Sequence, residues 1–333
     1  GRTMVRFQKV ALAALVSLFL LIFVGAVVRV TGSGMGCPDW PTCWGELIPP
    51  SSVEQVDFEN LDIEKFREKA AKEGRDPATI TIESLREEFN PVHTWIEFLN
   101  RLTSMPLGFL TLATFIGGFY QRRKGRKIVF WAAVASFADV LINAVMGARL
   151  VHSDLNPVII TTHLALAMLL VFLLVFVAWR GTERPWRLRF EGSAVMLRWI
   201  VATLLVITLL EGVLGTQIRE VTDVLMRSHY GEARSEWTGE LEEQSVYLVH
   251  RSLSWVILIG TVAFLFVGSR ILKDGLGWLE KGIGGIVGAM MIMGLVLAQV
   301  GISPVVQVLH VGFSAILVGA LCLWLLASSR EPV

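Results

Sequence analysis

Residues 158–179 read Val158-Ile-Ile-Thr-Thr-His-Leu-Ala-Leu-Ala-Met-Leu-Leu-Val-Phe-Leu-Leu-Val-Phe-Val-Ala-Trp179, a run without a single Asp, Glu, Lys or Arg. A membrane-spanning helix needs roughly 20 predominantly apolar residues, and this stretch supplies them while carrying one imidazole, His163, near its first end. Comparable runs at 10–31, 94–119, 128–148, 195–217, 246–268, 283–301 and 305–327 complete a set of eight predicted spans. The expected fold is therefore all-α and integral to a membrane. Composition agrees: 53% hydrophobic against 18% charged residues and a mean hydropathy of +0.59 exclude an ordinary soluble domain. The net charge of +1 comes without a continuous basic stripe, so nucleic acid is not an expected partner. The first apolar run outlasts the ~7–15 residues of a signal-peptide core and reads as a retained helix.

Orientation follows from the loops in which Lys and Arg collect, because cytoplasmic loops carry the excess. Arg122, Arg123, Lys124, Arg126 and Lys127 fill one loop, Arg180, Arg184, Arg187 and Arg189 the next alternate one, and Arg270, Lys273 and Lys281 the third. Segments 32–93, 149–157, 219–245 and 302–304 then face outward, and both termini lie on the cytoplasmic side of the inner (plasma) membrane. Within the first outer segment, 60–74 and 81–89 mix charge with Leu, Ile and Phe at helical spacing, which predicts short amphipathic helices over the membrane.

The chain repeats itself. Glu97-Phe-Leu-Asn-Arg-Leu-Thr-Ser104 aligns with Tyr247-Leu-Val-His-Arg-Ser-Leu-Ser254, and Ile159-Ile-Thr-Thr-His-Leu164 with Val305-Val-Gln-Val-Leu-His-Val311. Asn100 therefore pairs with His250, Arg101 with Arg251, and His163 with His310. An even number of crossings separates the copies, so they share an orientation and are expected as two pseudo-twofold-related four-helix bundles, 1–180 and 181–333.

His163, His250 and His310 fall at similar depth, within about two turns of the outer helix ends. Polar groups inside a span are costly and mark function by default, and two imidazoles from separate helices can ligate a haem iron axially. His250 with His310 makes such a pair. Zinc requires further Cys, His, Asp or Glu at that depth, and the second half is expected to offer none. His93, His152 and His229 read as solvated outer residues. In the first half the partner position of His163 is Asn100, an amide and a poor iron ligand. Three explanations compete: an introduced substitution, a natural Asn100 with His163 acting alone, or His93 standing in from seven residues earlier. Two turns span roughly 10 Å, which weighs against His93; the other two stand level.

Glu97 lies three residues before Asn100 on the same helical face, and the repeat places Tyr247 at the matching position. An intramembrane acid with no counterpart points to proton chemistry in the first half; the competing reading is a first-turn acid favoured by the helix dipole. Gly34-Met-Gly-Cys-Pro-Asp-Trp-Pro-Thr-Cys-Trp-Gly45 sets Cys37 and Cys43 in the oxidising outer compartment, where a disulfide is the natural expectation, either as a staple or as a redox pair. Cys322 reads as a buried apolar filler.

The run Arg29-Val-Thr-Gly-Ser-Gly34 followed by Cys37-Pro-Asp-Trp-Pro41, the Glu97 to Arg101 start of the second span, His250-Arg251 and the two later histidines together resemble the haem A synthase family over nearly the whole chain. The cysteines resemble those of its bacterial, cysteine-containing branch. The resemblance implies that haem O binds in the first bundle, where its ring-position-8 methyl is oxidised to a formyl group, while haem b in the second handles electrons. It makes Glu97 catalytic, His163 a holder of the substrate iron, His250 and His310 the haem b ligands, and Cys37 with Cys43 a disulfide. Asn100 departs from the pattern, since the family has an iron-ligating His there. Arg101 and Arg251 are expected to pair with haem propionates or with lipid phosphates. Haem O, haem A, a haem O synthase and a quinol or other electron donor are the implied partners, and Gly284-Gly285 with Gly288 permits close packing with a second copy. The competing readings are a non-catalytic di-haem electron carrier, which predicts matched histidine pairs and no unique carboxylate, and a transporter, which predicts broken helices at matching midplane positions. The insert 46–90 has no function in this reading.

Overall fold

The computed structural model describes residues 4–72, 75–152, 157–299 and 304–330. Their helices are α1 (Arg6–Thr31), α2 (Ile63–Lys72), α3 (Ile82–Glu88), α4 (Pro91–Arg123), α5 (Lys127–His152), α6 (Pro157–Arg180), α7 (Val195–Ser228), α8 (Arg234–Glu242), α9 (Ser245–Ile271), α10 (Trp278–Gln299) and α11 (Pro304–Ala327). Eight of them, α1, α4–α7 and α9–α11, are long and apolar enough to cross a membrane, one for each predicted span. The predicted outer segments 149–157 and 302–304 fall partly on 153–156 and 301–303, outside the described residues.

The helix ends follow local chemistry. Asn90 caps α4 by accepting from the backbone N–H groups of Val92 and His93 at 3.0 and 3.1 Å, with Pro91 at the first helical position, where its missing N–H costs nothing. Pro157 and Pro304 open α6 and α11 in the same way, which sets His163 and His310 the same six residues inside their helices. Thr81 and Ser84 form a reciprocal cap on α3. Gly32 ends α1 at φ +68°, the left-handed conformation that a residue without Cβ adopts freely.

Helix α1 packs on α4, α4 on α5, α5 on α6, and α6 returns to α1. In the second half α7 packs on α9, α9 on α10, α10 on α11, and α11 returns to α7; α11 also packs on α1 and α6. The cores are Leu-, Val- and Ile-rich, with Leu197, Val201, Phe264, Ile283 and Trp324 in one and Ala14, Leu170, Val171 and Leu174 in another. Large apolar side chains such as Phe109, Trp131, Trp199, Ile259 and Phe266 point outward, an arrangement suited to lipid and unsuited to water. Contact between α1 and α11 depends on Gly312: a Cβ there would lie 2.0 Å from Phe23 Cε1.

Helix α7 runs to Ser228, eleven residues beyond the predicted end at 217, which corrects the expected start of the third outer segment. Arg219 and Asp223 pair at i,i+4 with 3.2 Å between them, a contact that supports the helix over this stretch. The insert 46–90 acquires a structural account. Val56, Phe58, Ala70, Ile80 and Leu85 bury themselves with Cys37, Cys43 and Trp44 in a small separate core. The predicted amphipathic helices appear there as α2 and α3.

His229, expected as a solvated histidine, instead closes the turn between α7 and α8. Its Nδ1 lies 2.8 Å from Glu232 and its Nε2 3.0 Å from Glu240, and its ring stacks on that of Trp237 at 6.2 Å. With a carboxylate at each nitrogen the imidazolium is favoured: the hydrogen bonds to Glu232 and then Glu240 hold the pKa above the ordinary histidine value. A raised folded-state pKa stabilises the docked form fully below the undocked value, about 6.5, and the contribution disappears as pH rises through the raised one. Protection of the α8 amides, taken relative to their intrinsic base-catalysed exchange rate at each pH, is therefore expected to be highest at acid pH and to fall through neutrality, with that dependence flattened in His229→Gln. A flat wild-type profile counts against this coupling.

Candidate functional site

Burial of Glu97 between the outer loop and α4 defines the first cluster. The side chain is only 5% exposed; Oε2 accepts the backbone N–H of Cys37 at 2.7 Å and Oε1 accepts Arg101 Nη2 at 2.8 Å. Arg101 also donates to the carbonyls of Thr42 and Asp39 at 2.9 Å each, and to that of Cys37 at 3.4 Å. A guanidinium with its planar fork can hold several acceptors at once, so this one residue joins α4, the acid and the loop. Cys37 and Cys43 are disulfide-bonded, and both are buried, a placement that suits a staple better than an exchanging pair. Trp44, at φ +55°, is held by Asp39 through its N–H at 2.7 Å. Its indole donates to Gly36 O at 3.0 Å and faces Thr94 Oγ1 at 3.1 Å.

The histidine layer lies deeper. His250 is on α9 and His310 on α11, the two helices that α7 and α10 both pack against. The Nδ1 atoms of His163 and His310 are buried and have no hydrogen-bond partner among the described residues, an unusual state for a polar atom that points to a missing ligand or partner. Asn100 and His250 occupy equivalent places: a Cβ added to Gly25 of α1 would lie 4.0 Å from Asn100 Oδ1, and one added to Gly215 of α7 would lie 4.0 Å from His250 Nε2. Because α4 is one unbroken helix, His93 stays roughly 10 Å outward of Asn100. Arg251 lies exposed on α9.

Two features escaped the sequence reading. Glu211 of α7 brings Oε2 to 3.4 Å from His250 Nε2 and accepts Ser254 Oγ at 2.9 Å. The expectation that the second half lacks an acid at histidine depth is thus corrected. The signal was present as a lone acid in Leu209-Leu-Glu-Gly-Val213, but only packing reveals which helix it faces. Asp139, 3% exposed on α5, accepts Asn143 Nδ2 at 2.5 Å, and its Oδ2 has no partner among the described residues. Even with Glu211, no group of three or more His, Cys, Asp or Glu side chains among the described residues is arranged to hold a metal ion. The donor set fits an iron already held in a macrocycle better than a bare cation, since such an iron needs only axial ligands.

Comparison with known proteins gives a consistent result. A heme A synthase from Wolbachia pipientis wMel is 23% identical over 323 residues, covering 92% of this chain and 87% of its own. A heme A synthase from Shewanella oneidensis is 25% identical over 186 residues, 54% of this chain and 47% of its own. A protoheme IX farnesyltransferase from Thermus thermophilus is 32% identical over 185 residues, 52% of this chain but 24% of its own. Against the last two the chain spans half their length or less. The sequence profile of the cytochrome oxidase assembly proteins designated COX15-CtaA matches residues 8–328. The chain belongs to that family.

Proposed function

We propose that this protein is a haem A synthase, oxidising the ring-position-8 methyl of haem O to a formyl group, with a haem b between His250 and His310 relaying electrons. The observation that carries the reading is that the buried Nδ1 atoms of His163 and His310, each six residues inside its helix, have no hydrogen-bond partner among the described residues, while Asn100 and His250 sit at matching places against Gly25 and Gly215. Similarity to proteins named heme A synthase supports it, and similarity to part of a protein named protoheme IX farnesyltransferase supports a farnesylated haem as the substrate. On this reading residues 1–180 form the substrate half and 181–333 the electron-relay half, with the histidine layer toward the outer face of the plasma membrane.

The bound haem supplies the redox chemistry that no side chain provides. The protein's own residues position and protect. His163 holds the substrate iron from α6, while Asn100 offers an amide oxygen where an imidazole binds better. Glu97 carries a proton near the first half, and both of its oxygens are tied to the loop and Arg101, so releasing one frees the acid and loosens the loop together. The cap formed by 46–90 shields that site from the outer solution. With water as the oxygen source, methyl-to-formyl oxidation releases four protons and four electrons, so this reading requires a carboxylate able to take up protons, a relay, and a terminal electron acceptor beyond the relay.

Glu211 beside His250 favours a second reading, since a carboxylate then no longer distinguishes the first half from the second, as a di-haem electron carrier without a unique acid predicts. Chromatography and mass analysis of extracted haems separates the two, for this chain and for Asn100→His produced with haem O available. The expected result is haem b in both proteins and haem O or haem A raised in the variant. Two equivalent b haems without O- or A-type product establish the carrier instead.

A further inference from the structure

The helices that open the two halves carry the same pair of residues at the same spacing. Gly25 lies against Asn100 and Gly215 against His250; four residues on, one turn nearer the outer face, stand Arg29 and Arg219. The two arginines come from different halves yet share one acceptor. Asp223 Oδ2 lies 3.3 Å from Arg29 Nη2, and its Oδ1 lies 3.2 Å from Arg219 Nε. Arg219 Nη1 also donates to Gln307 Oε1 at 2.8 Å, and Gln307 lies three residues outward of His310 on α11. A network across α1, α7 and α11 thus caps the histidine layer. Within this network two guanidinium groups face one carboxylate, which leaves a positive charge uncompensated where the side chains are 38%, 27% and 25% exposed for Arg29, Arg219 and Asp223. A partly desolvated excess cation calls for an anion.

We propose that Arg29 and Arg219 bind the propionate carboxylates of the macrocycles in their respective halves, with Asp223 as their shared counter-ion; this rests on the haem reading above. A macrocycle held by imidazoles in this layer would favour its alkyl-bearing edge in the apolar interior and its two charged carboxylates at the end of the helices where Arg29 and Arg219 stand. Arg–carboxylate pairing is charge-assisted and often bidentate, so it sets the rotation of the ring about its iron as well as affinity. The residues that the repeat suggested for this task are placed otherwise: Arg101 is bound to Glu97 and the loop, and Arg251 lies on an exposed face.

The test uses the full-length protein, stripped of haem and titrated with iron protoporphyrin IX and with its dimethyl ester, which lacks the carboxylate charges. Binding is followed by absorbance, and propionate bending modes by resonance Raman spectroscopy. Wild type is expected to prefer the diacid at least tenfold. Arg219→Gln should lose that preference through weaker diacid binding, with ester affinity and the bis-imidazole spectrum retained, and Arg219→Lys should restore part of it. Arg29→Gln should do the same for the first-half site in the Asn100→His background. Should Arg219→Gln fail to fold, Asp223→Asn provides the independent arm, since removing the counter-ion should enlarge the diacid's advantage. An unchanged diacid preference in Arg219→Gln, or a diminished one in Asp223→Asn, overturns the proposal. Failure of wild type to bind either compound overturns the haem reading itself, an outcome distinct from loss of discrimination.

Discussion

On the proposed haem b reading, substituting His310 by Ala is expected to abolish the low-spin haem b spectrum of the purified protein. The imidazole is half-buried on α11, with Nδ1 unpartnered among the described residues. An axial ligand is the direct bond to the iron, so its loss costs more than the roughly 10–100-fold that substitutions in the outer shell of a metal site cost. His250→Ala should give the same result, since either change leaves one imidazole and a five-coordinate iron at best. His163→Ala is the informative control, because that residue belongs to the other half and should leave the b spectrum intact. Reduced-minus-oxidised spectra on equal amounts of folded protein decide the matter. Retention of a low-spin spectrum in both His250→Ala and His310→Ala would falsify the ligand assignment.

Gly36→Ala should have the largest effect on the outer face. A Cβ at this position would lie 2.2 Å from the carbonyl oxygen of His93, 2.4 Å from its carbon and 2.8 Å from Thr94 N. These are backbone atoms in the first turn of α4, so the clash cannot be relieved by a rotamer change, and the loop must move away. Displacement strains three buried contacts: Thr94 Oγ1 to Gly36 O at 2.9 Å, Trp44 Nε1 to Gly36 O at 3.0 Å and Cys37 N to Glu97 Oε2 at 2.7 Å. At about 1 kcal/mol per hydrogen bond, and more where the acceptor is charged, the cap is expected to lose about 3 kcal/mol or more of docking stability. Limited proteolysis within 46–90 and amide exchange at Cys37 should rise together. Gly32→Ala is the graded comparison, because a Cβ there meets nothing within 4 Å and suffers only from φ +68°, a cost of about 1–2 kcal/mol. Equal protease resistance in Gly36→Ala and wild type removes the wedge argument.

These two results concern different levels of the molecule, and the sequence was informative about them to different degrees. The eight spans were readable because the bilayer imposes a length and an apolarity that composition alone reveals. The histidine layer was readable because the repeat aligned His163 with His310 and left Asn100 opposite His250. Helix ends moved from their predicted places, most clearly at α7, which runs eleven residues past its predicted end through the Arg219–Asp223 pair. The role of Glu97 was only half visible: its position on the face of Asn100 and its i,i+4 pairing with Arg101 follow from spacing, whereas its attachment to Cys37 depends on a loop sixty residues earlier in the chain.

By itself the sequence determined the membrane class and the eight helices long and apolar enough to cross, which arise from periodicity and from the solvent each residue tolerates. The tertiary structure alone decided which partners meet: Glu211 with His250, Arg29 and Arg219 with one Asp223, and the insert 46–90 with the buried disulfide. Such contacts join segments far apart in the chain, and their formation depends on how helices rotate about their own axes when they pack. That rotation is set by the fit of side chains such as Phe23 against Gly312, a property of two surfaces together that neither stretch of sequence carries alone.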